Sequence, residues 1–153
     1  MPAAPPQLPS LSGLVLLGGL SRRMGNDKAA QRYHSQPQAL WAYQALQAVC
    51  EKVFLSIRAD QDAAWLGERP LIRDSYHNLG PAVGLLSAAD AAPGSAWLLL
   101  ACDMPLVDTA TLNALVAARS AAAPAVAYRH PDGTAEPLCA IYEPGACQAL
   151  RRS

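Results

Sequence analysis

SGLVLLGG, residues 12–19, is a compact apolar run held between Ser12-Gly13 and Gly18-Gly19. Such a run reads as a short buried strand, and its passage into two glycines puts a loop at the edge of a sheet. AWLLLACD, residues 96–103, is a longer example: continuous apolar sequence closed by an acid, the signature of a strand covered on both faces.

Between these runs, Leu40, Tyr43, Leu46, Val49 and Cys50 recur at three- and four-residue spacing, which predicts an amphipathic helix over residues 37–52. A strand over 53–57, a short helix over 61–66 and a strand through PLIRD ending at Asp74 follow. Pro81 stands where the first turn of a helix accepts it, so residues 81–92 are predicted helical. Asp108 can cap a helix over 109–119. Strands over 125–128 and 138–142 and a helix over 145–152 complete the chain. Strands alternating with helices predict an α/β fold of three layers, α/β/α, with a mostly parallel sheet. In such sheets ligands bind outside the carboxyl ends of the strands, which sets residues 18–28, 74–84 and 102–105 along one rim.

Composition agrees with a packed globular chain. Of 153 residues, 52% are hydrophobic and 16% charged, a length that suits one core-forming domain over residues 12–153 behind a flexible Pro/Ala-rich leader, residues 1–11. Twelve basic residues balance twelve acidic ones. That neutrality argues against broad binding to nucleic acid or an anionic membrane, while a local cluster such as Arg22, Arg23 and Lys28 can still hold a small anion. The leader lacks the positive start of a secretory signal, and the apolar run of residues 14–17 is too short to span a membrane, so a cytoplasmic protein is expected. The four cysteines show no CxxC pair and are expected to be buried thiols. His34, His77 and His130 share no metal-ligand spacing, and Trp41, Trp65 and Trp97 lie in apolar contexts that suit the core.

Three segments carry chemistry. LLGGLSRRMGNDKAA, residues 16–30, combines glycines that let backbone amides approach a ligand with Ser21, Arg22, Arg23 and Lys28, and a triphosphate needs both. It is neither a Walker A loop nor GxGxxG; on composition alone it is equally a glycine-rich turn with solvated arginines. DSYHNLGPAVGLLSA, residues 74–88, joins a strand-end acid to a Gly-Pro turn and a helix start, a place that favours negative ligand groups or serves as an ordinary loop. LLLACDMPLVD, residues 98–108, puts Asp103 directly after a buried strand; a lone carboxylate beside phosphates suits Mg²⁺, and a turn cap is the other use for it.

Residues 16–29 resemble the signature loop of the molybdenum cofactor guanylyltransferases, approximately L-x-G-G-x-S-x-R-M-G-x-D-K-A. Leu16, Gly18, Gly19, Ser21, Arg23, Met24, Gly25, Asp27, Lys28 and Ala29 all match it. The similarity extends to Asp74 with Gly80-Pro81 and Gly84, to Cys102-Asp103 with Pro105, and to EPLCAIY at residues 136–142. It departs at Leu17, where many relatives carry Ala, and at Ser56, where relatives often carry Asn. A hydroxyl cannot reproduce an amide's paired donor and acceptor.

The resemblance implies a Rossmann-like fold of the nucleotide-diphospho-sugar transferase type and transfer of GMP from GTP to molybdenum-bearing molybdopterin, with release of pyrophosphate. By the same match Arg23, Lys28 and Asp103 are catalytic, and Leu16, Leu17, Gly18, Gly19, Ser21, Lys28, Ser56, Asp74 and Asp103 bind nucleotide. Arg22, Gly25, Gly80, Pro81 and Gly84 line the acceptor site or shape the pocket, and Asp103 holds Mg²⁺. GTP and the molybdopterin cofactor are the implied substrates, with cofactor-delivery proteins or apoenzymes as further partners. A cytidylyltransferase of the same pathway, another small-molecule nucleotidyltransferase and a nucleotide-binding adaptor without catalysis are the alternatives. Relatives continue beyond position 153 into a strand and an Asn-containing segment near the acceptor, which this chain is expected to lack.

Overall fold

The computed structural model describes residues 8–17, 32–33, 36–58, 64–74, 82–102, 104 and 107–152. In chain order the strands are β1 (Leu11–Leu16), β2 (Arg32–Tyr33), β3 (Gln36–Pro37), β4 (Lys52–Ile57), β5 (Leu71–Arg73), β6 (Ala96–Ala101), β7 (Ala125–Arg129) and β8 (Ala135–Tyr142). The helices are α1 (Gln38–Gln47), α2 (Ala82–Ala91), α3 (Thr109–Ala117) and α4 (Pro144–Arg152).

Six strands form one sheet in the order β5-β4-β1-β6-β8-β7, and β2 and β3 pair separately. β5, β4, β1 and β6 run parallel, whereas β8 is antiparallel to both β6 and β7. The single reversal follows from chain economy: β7 and β8 are joined by a short turn at residues 130–134, closed by His130 and Thr134 at 2.7 Å and turned by Gly133 at φ 92. A hairpin link of that length can only pair strands antiparallel.

Both faces of the sheet are covered, as the unbroken apolar runs require. On one face Val15, Leu17, Leu55, Ile57, Leu98, Leu100 and Ile141 pack with Leu46 of α1 and with Leu112 and Leu115 of α3. On the other, Leu14, Leu16, Ile72, Trp97 and Leu99 pack with Leu85, Ala88 and Ala89 of α2 and Cys147 of α4. Alternate residues of β1 and β6 thus serve two cores. Trp97 is fully buried, its ring tilted against Phe54 at 5.7 Å. No helix among the described residues is long and apolar enough to cross a membrane.

The expected first helix is corrected in length and in face. α1 stops at Gln47, because Glu51 must donate its amide to Leu11 and Lys52 must begin pairing beside Ser12; Val49 and Cys50 fall in the turn between. Its buried positions are Gln38, Ala39, Ala42 and Leu46, while Leu40 and Tyr43 lie on the flank. The absent side chain of Gly13 makes room for the end of α1: a Cβ there would lie 3.1 Å from Leu46 Cδ1 and 3.3 Å from Cys50 Sγ. The helix expected over 61–66 is a single 3₁₀ turn, Ala64–Leu66, with residues 61–63 outside the described part. α3 begins as predicted, with Asp108 accepting from the Thr111 amide at 2.9 Å. All four cysteines are free thiols, Cys50 partly and the others fully buried. Burial pushes the thiols of Cys50 and Cys139 up to about 12 and about 11, which suits packing and not nucleophilic chemistry.

Candidate functional site

The carboxyl ends of the four parallel strands meet at one rim. Leu16 of β1 is in register with Ser56 of β4 and with Ala101 of β6, and Ile57 of β4 with Arg73 of β5. Three hydrogen bonds continue the ladders past the strand ends: Leu17 N–H to Ser56 O at 2.9 Å, Asp74 N–H to Ile57 O at 2.9 Å and Cys102 N–H to Leu16 O at 3.3 Å. The three chemistry-bearing segments therefore leave the sheet side by side. This is the convergence expected from alternating strands and helices.

Of the nucleotide-binding candidates, Leu16, Leu17, Ser56 and Asp74 are at this rim, with Gly84 against it. Leu16 and Leu17 are buried, each into a different core, so their backbone and not their side chains faces any ligand. Ser56 is also buried, and its hydroxyl donates to Asp74 Oδ1 at 3.3 Å. Asp74 is only part-buried. Burial raises its carboxyl above the usual range, opposed by the Ser56 hydrogen bond and the nearby Arg58 charge. A carboxylate with one hydroxyl on one oxygen retains acceptor capacity for donors from a ligand.

Gly84 closes the arrangement from α2. A Cβ built there would sit 2.6 Å from Leu16 Cδ2 and 2.8 Å from Ser56 Oγ, closer than real side-chain atoms come, so only glycine lets α2 seat on the ends of β1 and β4. The Gly84–Ser56 approach is absent from the sequence reading, which took Gly84 as shaping a pocket. Its signal was the glycine three residues into a predicted helix, a costly place for one unless something packs against it.

Gly18, Gly19, Ser21, Arg22, Arg23, Gly25, Lys28, Gly80, Pro81 and Asp103 lie outside the described residues. Among the described residues no group of three His, Cys, Asp or Glu side chains could hold a metal ion. A shallow depression of about 400 Å³, lined by Tyr43, Gln44, Gln47, Glu68, Arg69 and Pro70, lies at the opposite end of the sheet. Of those side chains, Arg69 donates to Leu66 O at 2.9 Å and lies over the Tyr43 ring.

Comparison with known proteins agrees with this geometry. A family model described as a MobA-like NTP transferase domain matches residues 13–153. A molybdenum cofactor biosynthesis bifunctional protein of Synechocystis sp. is 38% identical over 148 residues, 94% of this chain. A "Probable molybdenum cofactor guanylyltransferase" of Bacillus licheniformis is 36% identical over 133 residues, 84% of this chain. The chain spans 42% of the first relative's length and 66% of the second's. The crystal structure of molybdopterin-guanine dinucleotide biosynthesis protein A from Archaeoglobus fulgidus superposes with a TM-score of 0.75 at 25% identity, covering 92% of this chain and 71% of that one.

Proposed function

The chain belongs to the MobA-like NTP transferase domain family, and from that premise we propose that it is a guanylyltransferase, moving GMP from GTP onto molybdenum-bearing molybdopterin to form the guanine dinucleotide cofactor. The observation that carries this reading is the rim itself: four parallel strand ends, with Leu17 and Cys102 continuing the ladders past β1 and β6, and a hydrogen-bond-accepting carboxylate at Asp74. The names of the relatives supply the acceptor.

In the reaction an oxygen of the acceptor's terminal phosphate forms a bond to the α-phosphorus of GTP. The bond from that phosphorus to the bridging oxygen breaks, and pyrophosphate leaves with the electron pair. No general base is required, since a phosphate monoester is already anionic near neutral pH; positioning and charge neutralisation do the work. The amides of Gly18 and Gly19 with Ser21 hold the nucleotide, Arg23 and Lys28 neutralise its phosphates, and Leu16, Leu17, Ser56 and Asp74 form the nucleoside end. Arg22, Gly25, Gly80 and Pro81 border the acceptor or the pocket, and Gly84 backs Ser56 at the nucleoside end.

Asp103 follows Cys102, whose amide is bonded to the end of β1. A lone carboxylate there, shared with substrate phosphates, is the donor set that a hard, water-retaining Mg²⁺ takes. Magnesium, when bound, supplies positive charge to the departing pyrophosphate. We place the reaction in the cytoplasm, with apoenzymes or cofactor-delivery proteins receiving the product.

Isothermal titration with GTP, CTP and ATP in the presence of Mg²⁺ tests the reading, with Asp103→Ala and Lys28→Ala alongside. GTP-selective binding weakened by both substitutions is the expected result. Preference for CTP would make it a cytidylyltransferase, and a folded chain that binds no triphosphate would sink the site.

A further inference from the structure

Ser56 links Asp74, just past β5, to Gly84 of α2 at the rim. Ser56 is the penultimate residue of β4, its side chain toward α2, since Leu55 and Ile57 turn to the α1 and α3 side. It is 3% exposed, so it offers a ligand almost no surface of its own. Its one hydroxyl proton goes to Asp74 Oδ1. Behind it, the missing Cβ of Gly84 leaves the space that Ser56 Oγ occupies; an added methyl group would stand 2.8 Å from that oxygen. Asp74, whose amide is tied to Ile57 O, is the member of the three with part of its carboxyl open.

We propose that Ser56 is a positioning residue: backed by Gly84, it orients the Asp74 carboxylate to accept hydrogen bonds from the nucleoside part of the bound nucleotide. This rests on the reading of the rim as a nucleotide site. Ser56 then differs from a direct ligand in one respect that can be measured. Its effect on binding passes through Asp74 and vanishes when Asp74 no longer carries a carboxylate.

The experiment is a pair of double-mutant cycles on GTP binding with Mg²⁺: Ser56→Ala against Asp74→Asn, and Gly84→Ala against Asp74→Asn, with folding checked by circular dichroism. Loss of one hydrogen bond to a charged group corresponds to an affinity loss of about 10- to 150-fold for Ser56→Ala. In the Asp74→Asn background the same substitution changes affinity less than about 2-fold, an interaction outside ordinary additivity. The acidic limb of the binding profile also moves to higher pH in Ser56→Ala, because the Ser56 hydrogen bond lowers the Asp74 carboxyl, as the Arg58 charge does independently. A merely structural serine would leave that limb in place. Equal losses in both backgrounds, or no loss in either, would overturn the inference while leaving the nucleotide site intact. A wild-type chain that binds no triphosphate removes the functional reading and the inference together.

Discussion

Two carboxylates sit at opposite ends of the sheet and are treated in opposite ways. Glu143, after β8, receives both Arg119 Nε at 2.7 Å and Arg119 Nη2 at 3.0 Å, and Arg119 also donates to Pro9 O at 2.9 Å. Both side chains are buried, and the guanidinium bridges the carboxylate and the Pro9 carbonyl, so the C-terminal end of α3, the start of α4 and the segment before β1 are clamped together. Among the described residues Asp74 accepts one long hydrogen bond, from a serine, and feels the charge of Arg58, in an environment that disfavours its own charge. A saturated carboxylate fastens chain segments; an under-satisfied one keeps capacity for something else. That contrast separates a structural acid from a functional one without reference to any ligand.

The largest effect follows from opening the clamp. Arg119→Ala leaves Glu143 buried without its partner and lowers stability by about 3–5 kcal/mol, read as a shift in urea midpoint. Nucleotide affinity of the chain that remains folded stays unchanged; a parallel loss of affinity would break the division between the two ends. Gly84→Val comes next, forcing α2 off Leu16 and Ser56 at a cost of about 1–3 kcal/mol. Here affinity falls as well as stability, because the displaced atoms belong to the rim.

Asp74→Asn sharpens the contrast through its sign. The Asp74 carboxyl is raised in the fold, so its favourable contribution is complete below the unfolded-state pKa and is lost as pH climbs through the folded-state pKa. Above that window the ionised group works against folding. The asparagine variant is accordingly more stable than the parent near neutral pH, with the gap closing toward acid, while its GTP affinity drops; thermal melts across pH show this directly. Asp108→Ala gives the smallest effect and the opposite sign. The Asp108 carboxyl is held low by the Thr111 amide and hydroxyl, so its contribution is present above the unfolded value and fades as pH falls through the folded one. Its loss lowers the melting temperature slightly at neutral pH and not at all in strong acid.

The strands were legible because doubly covered strands must be apolar throughout, and residues 12–17 and 96–102 have no other reading. The rim followed from topology alone. The face of α1 was not legible: large Leu40 and Tyr43 outweigh Ala39 and Ala42 in any periodicity, yet the buried face is Gln38, Ala39, Ala42 and Leu46. The Ser56–Asp74 bond depends on the register of β4 against β5, which residue types do not encode. Arg119 and Glu143 likewise meet only because β8 reverses direction and returns its end to the start of β6. Residues 18–28 were recognisable as a motif and lie outside the described residues, so their roles rest on chemistry and kinship.

The place of β1 has a consequence for the order of events during synthesis. It emerges before every other strand of this sheet, yet it occupies the interior, and its partner on one side, β6, pairs Leu11 with Ala96 and Leu16 with Ala101. Pairing across so long a stretch closes a large loop before any contact rewards it, the slow step in sheets of this kind. The nascent chain therefore holds an apolar strand with one flank open until residue 101 has emerged, and an unpaired edge of that kind is prone to wrong association.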